Sequence, residues 1–122
     1  MNEKKKTLVL GASDNPSRYS YLAIKKLRAN QHPVIGVGKR KGMVDDVKIE
    51  TDHVAVQGVD TVTLYLNPAN QKEYYDYILD LRPNRIIFNP GAENEELAAA
   101  ASGAGIEVVE GCTLVMLRTG LF

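Results

Sequence analysis

Residues 7–30, TLVLGASDNPSRYSYLAIKKLRAN, hold the pattern that decides the fold: a short β-favouring run, one glycine, a polar loop and an amphipathic helix. Thr7, Leu8, Val9 and Leu10 form a run without polar alternation, which marks a strand covered on both faces. In residues 20–30 Leu22, Ala23, Ile24 and Leu27 turn toward a core, while Lys25, Lys26 and Arg28 face water. A buried strand that ends on glycine and opens a helix begins a β-α-β unit and points to nucleotide binding.

Working outward, the same alternation recurs. Residues 33–37, 61–66, 85–88 and 106–109 are further apolar, β-rich runs. Asn67 and Pro68 supply a cap and a first helical residue for a helix reaching residue 81, with Tyr74, Ile78 and Leu81 on one stripe and Pro83 as its stop. Residues 94–102 form an alanine-rich helix closed by Gly103-Ala104-Gly105, and residues 113–118 a short last one. Residues 38–60 mix glycine, charge and scattered valines and offer at most one short edge strand. The expected fold is α/β, a doubly wound five-stranded parallel sheet in a single domain over residues 1–122.

Composition narrows the function classes. Fifteen basic residues balance fifteen acidic ones, so no overall field draws the chain to nucleic acid or to a membrane. No stretch is long enough to span a bilayer. The apolar run behind the basic start, Met1 to Lys6, is too short for a signal peptide. A single cysteine, Cys112, excludes an internal disulfide framework and fits a reducing, cytoplasmic setting. Oligomeric state is not written in these features.

Ligands of an open parallel sheet bind outside the carboxyl ends of the strands, where the strand order reverses. After the first strand, Gly11 allows close backbone approach, Ser13 and Asn15 bring hydrogen-bonding side chains, and Arg18 stands at the mouth of a helix whose first turn has no acid. That combination suits a phosphate. The alternative is a loop that merely turns the chain, with Ser13 and Asn15 as caps. After the second strand, Gly36-Val37-Gly38 runs into Lys39-Arg40-Lys41 where an acidic residue would meet a free ribose hydroxyl. A basic loop there fits a ribose bearing an extra phosphate, as in NADP or coenzyme A, or else a solvated turn.

These residues resemble the small single-domain bacterial CoA-binding proteins, whose Rossmann-like fold is shared with the CoA-binding domain of succinyl-CoA synthetase alpha chains. The likeness rests on Leu10-Gly11-Ala12-Ser13 with Asn15-Pro16 and Arg18-Tyr19, on Asn67-Pro68, on Phe88-Asn89-Pro90-Gly91-Ala92-Glu93-Asn94-Glu95, and on Gly111-Cys112. Many relatives carry an Asn-Pro pair where this chain has Gly38-Lys39. The resemblance implies a nucleotide across the strand ends, with its diphosphate at Gly11, Ala12, Ser13, Asn15, Arg18 and Tyr19. Its adenosine would reach Val37, Lys39 and Arg40, and its pantetheine arm would run toward Asn67, Pro68 and Asn89.

Chemistry beyond binding is thinly provided. His32 precedes the second strand, on the edge away from the ligand, and His53 lies in the irregular middle, so neither forms a catalytic or metal constellation. Cys112 sits on the ligand edge, either near the thiol of a bound CoA or as an inert small residue. Tyr19 and Tyr21 offer stacking faces for a base or packing for the helix. The expectation is a non-catalytic module that binds coenzyme A or acyl-CoA. Two other readings stand beside it: an NADP-type reductase half, which lacks the G-x-G-x-x-G glycines, and a structural or regulatory protein that keeps the fold without the ligand.

Overall fold

The computed structural model describes residues 3–122, so Met1 and Asn2 of the basic start lie outside the described residues. The chain runs β1 (Thr7–Leu10), α1 (Tyr19–Ala29) and β2 (Val34–Val37), then β3 (Gly42–Val44), β4 (Val47–Glu50) and β5 (Thr61–Leu64). Next come α2 (Pro68–Gln71), a 3-10 turn (Lys72–Tyr74), α3 (Tyr75–Leu81), β6 (Arg85–Phe88), α4 (Glu95–Gly103), β7 (Glu107–Glu110) and α5 (Thr113–Thr119).

All the strands join one sheet in the order β3-β4-β2-β1-β5-β6-β7, parallel except for β3, which pairs antiparallel with β4. The five parallel strands expected from their apolar runs are β1, β2, β5, β6 and β7, and the sheet gains two more from residues 38–60. That extra hairpin buries Val44, Val47 and Ile49 and turns through Asp45, whose φ is 52°. Lys25 meets Asp45 at 2.8 Å, and Arg28 holds both carboxylate oxygens of Asp46 at 2.8 Å, tying the hairpin to α1. Such exposed pairs orient more than they stabilise.

Alternation along the strands sends Leu8, Val62, Leu64, Ile86 and Phe88 to the face covered by α3 and α4. Val9 and Ile87 go to the opposite face, covered by Ile24 and Leu27 of α1 and by Met116 and Leu117 of α5. The helix expected over residues 68–81 is instead broken at the 3-10 turn. Buried Gln71 is held there by bonds from its Nε2 to the Leu66 carbonyl (2.8 Å) and the Ala92 carbonyl (2.7 Å). The chain therefore tightens before Tyr74 and Ile78 reach the core. Among the described residues no helix is long and apolar enough to cross a membrane.

His32 is buried at the amino edge of the sheet, as its place before β2 implies. Its Nδ1 accepts the Lys5 N–H at 2.9 Å, and its ring lies 5.0 Å from that of Phe122. Burial, helped by the charges of Lys4, Lys5 and Arg85 and opposed by Asp60, holds the imidazole below its usual range. The folded chain then binds this proton less readily than the unfolded chain, so the stability present above about pH 6.5 is lost as pH falls. Denaturant midpoints should drop between about pH 7 and about pH 5, and His32→Asn, which keeps an acceptor for Lys5, should flatten that slope. An unchanged slope in the variant would assign the pH dependence to other groups.

Candidate functional site at the carboxyl edge of the sheet

The chain leaves β1 to build β2, β4 and β3 on one side, then crosses to β5 on the other. The order therefore reverses between β1 and β5. Gly11 lies at that point with φ +87°, and a Cβ there would stand 3.0 Å from the Tyr65 carbonyl carbon. Only glycine lets the two loops approach so closely. The N–H groups of Gly11 and Ala12 both donate to the Val37 carbonyl, at 2.9 and 3.0 Å. Buried Val37 thus anchors the loop through its backbone.

The rest of the loop is organised by its own side chains. Ser13 Oγ accepts the Asn15 N–H at 3.0 Å, and Asn15 Oδ1 accepts from the Ser17 N–H (3.0 Å) and hydroxyl (2.8 Å). Ser13 and Asn15 therefore spend acceptors on shaping the turn. The Asp14 carboxylate lies against Gly42, leaving Arg18 without an ion-pair partner among the described residues.

Arg18 occupies the cap position of α1 in extended conformation, with no side-chain capping bond and no acid in the first turn. The N–H groups of Tyr19, Ser20 and Tyr21 have no acceptor within the helix. This end is positive by its dipole and by Arg18, and Tyr19 beside it is 72% exposed. The contrast with α4 is direct: Asn94 caps the Leu97 N–H at 3.1 Å, with Glu95 and Glu96 filling its first turn.

Beside the loop opens a cleft of about 270 Å³ that Gly11 and Gly38 help to line. Lys39, Leu66, Ala69, Asn70, Lys72, Glu73 and Tyr74 complete the lining. The cleft thus combines an apolar surface with two lysines at the sheet's reversal point, where nucleotides are held in this class of fold.

The family model described as CoA binding domain matches residues 5–118. The chain belongs to this CoA-binding domain family. A crystal structure of an uncharacterized protein is similar at 54% identity and a TM-score of 0.96, covering 99% of this chain and 100% of that one. A Thermus thermophilus protein (24% identity, TM-score 0.86, covering 98% of this chain and 91% of that one) shares the fold. So does a hypothetical protein from Pyrococcus horikoshii OT3, at 22% identity and a TM-score of 0.85, covering 97% of this chain and 84% of that one. No curated protein matches.

Within the family's fold, the remaining candidates separate by burial. Arg40 is exposed, and only Lys39 of the basic run lines the cleft. Asn67 and Pro68 are exposed just behind the cleft, where Asn67 Oδ1 caps α2 by accepting the Asn70 N–H at 2.9 Å. Asn89 is turned inward: its Nδ2 donates to Thr63 Oγ1 (2.7 Å) and the Leu64 carbonyl (2.9 Å), and its Oδ1 accepts the Thr113 N–H (2.9 Å). Cys112 is half-buried at the start of α5, one residue before that anchor.

Two parts of the site escape sequence reasoning. One is the wall from Leu66 to Tyr74, since nothing in residues 68–81 shows which helical face turns to the cleft. The other is Tyr65, whose hydroxyl is closed from solvent without a hydrogen bond of good geometry. Thr63 and Thr113 are bonded to each other at 2.7 Å. Burial pushes the Tyr65 phenol up to about 12. Among the described residues no cluster of three His, Cys, Asp or Glu side chains could hold a metal ion.

Proposed function

We propose that the protein binds coenzyme A or an acyl-CoA as a non-catalytic module. The observation that carries this reading is the acid-free, uncapped start of α1, with Arg18 at its cap on the loop that Gly11 opens at the reversal of the strand order. Free N–H groups and a guanidinium meet a diphosphate there without any proton being transferred. Family membership and the neighbouring cleft support the same ligand, its adenosine lying toward Lys39 and its pantetheine arm toward Asn67 and Cys112.

Isothermal titration with coenzyme A, dephospho-CoA and NADP tests the proposal. Saturable heat with the CoA species and none with NADP is expected. The absence of any CoA heat would refute it, and NADP binding alone would revive a reductase role. Arg18→Ala should weaken coenzyme A by about 1.5–3 kcal/mol, the contribution of a hydrogen bond to a charged group. Unchanged affinity would move the diphosphate away from this loop.

A further inference from the structure

Lys39 and Lys72 come from distant parts of the chain, one following β2 and the other opening the 3-10 turn after α2, yet both line the same cleft. Both are exposed, and neither forms an ion pair or a side-chain hydrogen bond among the described residues. Two unpaired ammonium groups bordering one concavity make it attractive to an anion. Glu73 is the single carboxylate in that lining, so the cleft retains a net positive charge. Leu66, Ala69 and the Tyr74 ring add apolar surface beside it. The chemistry that matches is a flat, weakly polar group carrying a terminal phosphate monoester.

The start of α1 already provides for a diphosphate, which leaves the monoester of the ribose for the two lysines. We infer that Lys72, acting with Lys39 in the same cleft, binds the ribose phosphate and sets the preference for coenzyme A over dephospho-CoA. This inference rests on the CoA reading given above and adds a residue that its sequence does not single out. Lys72 directly follows α2 in helical conformation and lines the cleft with Ala69 and Asn70 of that helix.

The test compares coenzyme A with dephospho-CoA, which differ only by the phosphate in question, by titration of the unaltered chain, Lys72→Met and Lys72→Arg. The unaltered chain should favour coenzyme A by about tenfold. Lys72→Met should lose about fivefold in coenzyme A affinity while dephospho-CoA changes by less than about twofold, and Lys72→Arg should restore the preference. Binding of dephospho-CoA by Lys72→Met also shows that the variant is folded. Full preference retained in Lys72→Met, or equal binding of both ligands by the unaltered chain, would overturn the inference and leave the CoA reading standing. No binding of either ligand by the unaltered chain would overturn that reading, and the inference with it.

Discussion

Gly38→Ala is expected to destabilise the protein by about 3 kcal/mol or more and to lower its urea midpoint accordingly. A Cβ at this position would sit 2.1 Å from the Ala12 carbonyl oxygen and 3.1 Å from its carbon, far inside contact distance. Ala12 has nowhere to retreat. Its N–H and that of Gly11 are bonded to the Val37 carbonyl, and its methyl lies 3.3 Å from where a Gly36 side chain would begin. The cost therefore falls on backbone, which a rotamer change cannot relieve. Gly103→Ala is the matching control: nothing lies within 4 Å of its Cβ, and it closes a helix, so stability should hold or rise by a few tenths of a kcal/mol. Equal midpoints for Gly38→Ala and the unaltered chain would mean that the two loops are not in contact.

Asn89→Ala should cost about 3 kcal/mol in the same unfolding measurement. The side chain is 2% exposed and serves three partners, so truncation strands the Thr113 N–H and the Leu64 carbonyl away from water. It also removes the tie between β5, β6 and the first turn of α5. Its position after a strand makes it look like a ligand residue, and a loss of CoA binding in the variant would be easy to misread. Stability and affinity separate the two roles. A variant of unchanged stability that binds coenzyme A poorly would place Asn89 at the ligand instead.

The parallel strands were legible because burial on both faces demands apolar residues at every position, as in Leu8-Val9-Leu10 and Ile86-Ile87-Phe88. The hairpin of β3 and β4 was not. It is short, each strand turns one residue to water, Met43 at 57% exposure and Lys48, and its turn uses paired aspartates rather than Asn-Gly. The break in the helix after Asn67 was hidden as well, since it depends on Gln71 reaching Leu66 and Ala92 rather than on any glycine or proline.

Sequence alone determined the class of fold, the edge of the sheet that holds the candidate site and the acid-free entry to α1. Each follows from local rules: strand burial, the direction of parallel connections and helix-end electrostatics. Tertiary structure alone decided which polar residues remain available there. Registering Phe88 beside Leu64 turns Asn89 toward Thr63 and Thr113, while packing brings Lys72, after α2, and Lys39, after β2, to the same cleft. The physical reason is geometric: side-chain direction reverses at every strand residue and rotates with every helical one, so only the packed arrangement selects the face.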